Sequence, residues 1–224
     1  MKRILFTALL SALILCAIAE KGWVFTQKYE SADSKGQNIT VSWYVTSQQC
    51  KMKMEFSDAK VNTVSWFIAD MQQNKLLTYA EGSVPSGAQK AFFAIPVQNI
   101  KADKTSGTAR VSAQATGETK SVSGLLCEKV LVKTNKNITE MWVSKDFKPA
   151  FYKFYPFFQN SIELMALSEE KIQGFPVSSQ TKDISGQVTA SYQLLSAQSI
   201  ELSEADFKVP SEYKDAEEIH NGKN

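Results

Sequence analysis

The sequence predicts an α+β fold, a mostly antiparallel β-sheet with one or two helices packed on it. Three observations carry this. Residues 50–56 alternate without a break, with Cys50, Met52, Met54 and Phe56 on one side and Lys51, Lys53 and Glu55 on the other, the period of a strand with one dry face and one wet face. Half-wet strands belong to antiparallel sheets, because parallel strands covered on both sides read as unbroken apolar runs. Most of the chain repeats this scheme in short runs separated by turn residues. Only residues 146–173 depart from it, with a dense aromatic string followed by a run near helical spacing.

Taken in order, residues 1–19 hold Lys2 and Arg3, an apolar run from Ile4 to Ile18 and the ending Ala17-Ile18-Ala19. That is the layout of a secretory signal peptide with an A-x-A cleavage site. Cys16 follows Leu15 and precedes the cleavage site, so it reads as part of the discarded apolar core. Removing residues 1–19 leaves 205 of the 224 residues and takes away two basic side chains, so 23 basic then balance 23 acidic residues. A neutral chain lacks the basic footprint of a nucleic-acid binder. No transmembrane segment is expected in the mature chain, whose destination is the periplasm or the extracellular space. The absence of repeats and interior linkers predicts one β-rich domain over residues 20–213 and a polar flexible tail over 214–224.

From residue 22 the mature chain alternates, Trp23, Phe25, Gln27 and Tyr29 against Val24, Thr26, Lys28 and Glu30. A second strand, residues 39–46, turns Ile39, Val41, Trp43 and Val45 inward. After residues 50–56 come two further strands, 63–69 and 75–81, at the short spacing of a meander. Met52 and Met54 fit a soft binding surface as well as a core, and core packing is the simpler reading. Residues 90–97 form a strand interrupted by Pro96, which places it at a sheet edge or strand end. The small side chains Ala109, Val111, Ala113 and Ala115 share one face of a strand over 108–115, so something packs closely over them. Residues 117–120 then turn the chain into a hairpin of strands 125–133 and 138–144.

Beyond this hairpin, Asp146 and Pro149 suit a helix start. Phe151, Tyr152, Phe154, Tyr155, Phe157 and Phe158 follow, six of the 24 aromatic residues within eight positions. A second helical run, 160–173, stops at Gly174. The expectation is a helix or two, broken at Pro156 and lying against the sheet. Strands return over 177–184 and 187–201, Ser203 and Asp206 can cap a short helical turn, and residues 207–210 close the domain.

Two cysteines survive processing, Cys50 and Cys127, each within a strand and bound for an oxidising compartment, so they are expected to form a disulfide. In the chain-entropy model a bridge closing so long a loop stabilises by about 4 kcal/mol. The competing reading is two separate buried thiols. No metal site is expected, since there is no CxxC and the single histidine, His220, lies in the tail.

Several motifs occur together: GLLCEKVLVKT with ITEMWVSKDF, then GFPVSSQT, then LSEADFKVPSEYK. In this order they resemble an exported bacterial family catalogued as a domain of unknown function (domain of unknown function 4412), over most of the mature chain. Glu212 stands where the closing motif of that family leads one to expect glycine. The resemblance implies no activity, cofactor or catalytic residue. It does imply a shape similar to periplasmic lipoprotein-carrier folds, in which a strongly curved, half-barrel-like sheet carries helices on its inner face. A bacterial source would also make the sequons at Asn38 and Asn137 accidental.

An enzyme is not expected. Nucleophilic catalysis needs a base beside Ser or Cys, and the one histidine sits in the tail. Asp58, Asp70 and Asp146 all fit turns or caps. The leading expectation is a carrier for an apolar ligand such as a lipid or acyl chain. Its motive is the aromatic string, represented by Phe151, Tyr152, Phe154, Tyr155 and Phe158, facing inward-turned Trp43, Trp66 and Trp142. The alternative is a structural or protein-interaction module of the envelope with a filled core, since an aromatic stripe usually packs.

Overall fold

The computed structural model describes residues 19–32, 38–57, 62–81, 90–100, 111–147, 151–158 and 161–221. The expected signal peptide, apart from Ala19, lies outside these residues, as does Asp58. The strands are β1 (Glu20–Ser31), β2 (Asn38–Val45), β3 (Cys50–Ser57), β4 (Asn62–Asp70), β5 (Lys75–Glu81), β6 (Ala91–Pro96), β7 (Ser112–Val122), β8 (Leu125–Lys133), β9 (Asn137–Ser144), β10 (Phe175–Asp183), β11 (Val188–Leu202) and β12 (Lys214–Asp215). They form one sheet in the order β12-β6-β5-β4-β3-β2-β1-β11-β10-β9-β8-β7.

The order contains two meanders. Strands β1 to β6 step outward in one direction, and β7 to β11 step back until β11 meets β1. That junction pairs Glu20 with Leu202 at one end and Ser31 with Ala190 at the other, with a bulge between Thr26 and Gln27. Every pairing is antiparallel except that of β12 with β6. Short connections give antiparallel neighbours because a hairpin needs only a few residues, whereas a parallel return needs a long crossover.

Alternation decides which side chains are dry. Phe25, Trp43, Val45, Cys50 and Met52 are buried on one face, and across the strands Trp43 stands opposite Phe25 and Met52. On this face lie a 3₁₀ helix, Phe151–Phe158, and the helix α1 (Ile162–Glu169). Trp43 meets Phe151 and Phe158 edge-on at 5.2 and 5.0 Å, and Phe151 meets Phe175 at 4.9 Å. The other face carries a second buried cluster of Ile68, Tyr79, Leu202, Phe207 and Tyr213.

Three elements differ from the sequence reading. Pro156 lies inside the 3₁₀ helix, and the α-helix begins only at Ile162, where Ser161 supplies the cap by accepting the Leu164 N–H at 3.3 Å. A proline lacks the N–H that an α-helix interior requires, so this part of the chain takes the tighter, shorter form. Strand β7 continues through Gly117, whose φ of 77° accommodates a register shift between Ala115 and Thr119. The turn falls instead at Ser123-Gly124, with φ of 52° and 81°, the pair of positive values that a two-residue hairpin wants. In the expected flexible tail, β12 pairs Lys214 and Asp215 with Ala91 and Phe92, and α2 (Ala216–Asn221) follows.

The expected disulfide is absent: Cys50 and Cys127 are both buried free thiols. Five strands separate β3 from β8 in the sheet. The pleat also turns them apart, because Cys50 shares the face of Met52 while Cys127 shares the side of Lys129, opposite that taken by Val130. A bridge needs Cα atoms within about 7 Å, which this register does not provide. Burial pushes the Cys50 thiol well above its ordinary pKa, and Cys127 is raised for the same reason.

Candidate functional site

A cavity of about 480 Å³ opens between the sheet and the helical segment. Six neighbouring strands form its floor. β1 gives Gln27 and Tyr29, β2 Val41 and Trp43, β3 Met52 and Met54, and Met141 comes from β9. Phe175, Ser179 and Thr181 on β10, with Ala190 and Tyr192 on β11, complete the floor, and Phe151, Phe158 and the first turn of α1 form the roof. Period-two alternation places the floor residues together, since all belong to the face that carries the helices. Three of them are methionines, whose unbranched side chains adapt to irregular shapes.

Polar groups in the lining are tethered. Gln27 is buried, accepts the Trp43 indole N–H at 3.0 Å and donates to the Pro176 carbonyl at 2.7 Å. It thereby fixes the Trp43 ring and ties β1 to β10. The hydroxyls of Thr139 and Thr181 share a hydrogen bond at 2.9 Å across β9 and β10. Ser179 and Tyr192 are cross-strand partners. Burial above all, and then the neighbouring Glu163 carboxylate, push the Tyr192 hydroxyl well above its ordinary pKa, against a smaller opposing effect of its Ser179 hydrogen bond. Tyr192 therefore stays protonated and neutral. Among the described residues, Glu163 supplies the one formal charge of the lining, and no Lys, Arg or His joins it.

The structure divides the sequence-predicted site residues. Trp43, Phe151 and Phe158 line the cavity. Phe154 and Tyr155 are buried in the core beside it, with the Tyr155 hydroxyl donating to the Gly174 carbonyl. Tyr152 faces outward at 36% exposure. Trp66 does not turn inward: it lies on the opposite face near Tyr44 and Tyr79, donates to Glu81 at 2.9 Å and carries Lys51 over its ring at 4.1 Å. Trp142 likewise alternates with Met141 and shares the outer side with its cross-strand partner Lys129, while Lys120 sits 3.9 Å above its ring. In both cases the pleat decides, since neighbours along a strand point to opposite faces.

Gln27, Ser179, Thr181, Tyr192 and Glu163 are lining residues that the sequence reading did not single out. The usable signal was a polar side chain at an inward position of an otherwise apolar alternation, as at Gln27 between Phe25 and Tyr29. Among the described residues, no three His, Cys, Asp or Glu side chains are grouped to hold a metal ion, and no helix is long and apolar enough to cross a membrane.

Comparison with known proteins adds a family and little else. The family described as "Domain of unknown function (DUF4412)" matches residues 28–213. No curated protein matches the chain. Among solved structures, the chain is similar to PNGF-II at 13% identity and a TM-score of 0.48, covering 90% of this chain and 32% of that one. It is similar to the Pseudomonas aeruginosa MucA/MucB complex at 11% identity and a TM-score of 0.46, covering 86% and 56%. A putative outer membrane lipoprotein-sorting protein domain from Vibrio parahaemolyticus is similar at 8% identity and a TM-score of 0.34, covering 84% and 89%. The chain thus spans about a third of the length of the first of these and just over half of the second. Likenesses of this size say nothing about what the chain does.

Proposed function

Because the chain belongs to the DUF4412 family, which brings no activity with it, we propose a function from the cavity itself: a non-enzymatic, exported carrier that encloses the apolar part of a lipid or similar amphiphile. The supporting observation is the cavity of about 480 Å³, within the range of small-molecule sites and walled by Trp43, Phe151, Phe158, Phe175 and the three methionines. A core that only packs leaves few voids larger than a water molecule. The aromatic string is divided between the two tasks, with Phe154, Tyr155 and Phe157 filling the core and Phe151 and Phe158 left at the cavity wall.

The same reading includes a strongly curved, half-barrel-like sheet. Met52 on β3 and Met141 on β9 line one cavity although five strand spacings separate them, about 24 Å on a flat sheet. Walls drawn from both strands favour a sheet bent around the helical segment.

The test is extraction of the purified native protein with organic solvent followed by mass spectrometry, alongside titration with an environment-sensitive apolar dye. A co-purifying lipid or saturable dye binding is the expected result. Neither lipid nor dye binding would leave an envelope interaction module with no small-molecule ligand.

A further inference from the structure

The carrier reading leaves the ligand's head group open, and the distribution of charge around the cavity bears on it. This step rests on that reading and narrows it: we infer that the cavity selects amphiphiles whose head group is neutral or cationic and donates a hydrogen bond, and disfavours carboxylate and phosphate head groups.

The lining is two-sided. Trp43, Met52, Met54, Phe151 and Phe158 supply apolar wall, while Ser161 and Glu163 at the start of α1 and Ser179 and Tyr192 on the sheet supply polar groups. All four line the same cavity, and the Glu163 carboxylate acts on the Tyr192 hydroxyl from the helix side. Glu163 is half-buried, and among the described residues its hydrogen bond comes from the Ser161 hydroxyl, at 3.0 Å, with no cation in ion-pair reach. Among the described residues, a bound carboxylate or phosphate would meet a like charge and no Lys, Arg or His of the lining with which to pair. An ammonium or hydroxyl would find a charged acceptor, the stronger kind of hydrogen bond. The positive end of the α1 dipole does not reverse this, because Glu163 in the first turn and the Ser161 cap already satisfy it.

The experiment is displacement of Nile red, a neutral dye, by dodecylamine, dodecanol and dodecanoate at pH 7.5, each below its micelle concentration, on the wild type, Glu163→Gln and Glu163→Asp. On the wild type, dodecylamine and dodecanol should compete and dodecanoate should be weaker by about tenfold, a margin allowing for partial exposure and salt screening of the repulsion. Glu163→Gln should abolish the margin, and Glu163→Asp should keep it. Dodecanoate competing as well as the amine on the wild type, or an unchanged margin in a folded Glu163→Gln protein, overturns the head-group inference and leaves the carrier standing. Should Glu163→Gln not fold, the wild-type ranking decides alone. If the wild type binds neither the dye nor any of the three amphiphiles, the carrier reading itself falls.

Discussion

At the scale of single residues, Gln27 shows how a polar group can hold an apolar wall. Its amide meets both the Trp43 indole and the Pro176 carbonyl while buried. Leucine would fill similar space and leave both partners unsatisfied, each costing about 1–3 kcal/mol. Gln27→Leu is therefore expected to lower the midpoint of urea unfolding clearly, and an unchanged midpoint would show that water or a neighbour replaces the amide. The inward direction of Gln27 was legible in the alternation of Trp23, Phe25, Gln27 and Tyr29, but its partner on β10 was not, because no local pattern reports which distant strand lies alongside. The cysteines teach the complementary lesson. Export and strand placement argued for a bridge between Cys50 and Cys127, whereas pairing depends on sheet order, and five intervening strands settle it.

Among the elements, those closed by neighbours in sequence were the most readable. Ser203 and Asp206 form the expected cap: the Asp206 carboxylate accepts the Ser203 N–H at 2.7 Å and the Ser203 hydroxyl at 2.8 Å. These bonds, the backbone one foremost, hold Asp206 below the ordinary carboxylate range, with Lys51 contributing in the same direction. A depressed folded-state value stabilises above the unfolded value of about 3.9 and is lost as pH falls through the folded one. The stability gap between wild type and Asp206→Asn should accordingly be constant near neutrality and close as the pH is lowered below about 4, read by thermal melts across pH. A gap independent of pH would remove the carboxylate from the account. Ser161 makes a second cap, and Ser161→Ala should cost about 1 kcal/mol by loosening the first turn of α1, measured by urea denaturation. The sequence reading opens the second helical run at residue 160, two positions before Ile162, but the aromatic string is apolar on nearly every side, so periodicity could not tell that the stretch before it is 3₁₀ rather than α.

For the whole molecule, period-two patterning revealed the antiparallel class and most strand positions. It could not reveal that the second half of the chain folds back until β11 lies against β1, nor that β12 runs parallel beside β6. The cavity depends on that pairing, since β1 and β11 meet at its floor and set Tyr29 opposite Tyr192. Its volume is set by the stand-off between sheet and helical segment, a distance that no single element encodes. This makes a filling substitution informative. Ala190→Phe introduces a ring into the cavity, and because Ala190 lines its floor, the ring can enter space already present. If the space is a binding site, dye and amphiphile binding should fall at least tenfold while the melting temperature stays level or rises. If it is only a packing defect, the same variant should gain stability, and wild-type and variant titrations should be equally flat. A ring that finds no room would instead cost about 1–3 kcal/mol by overpacking, which would count against an open cavity.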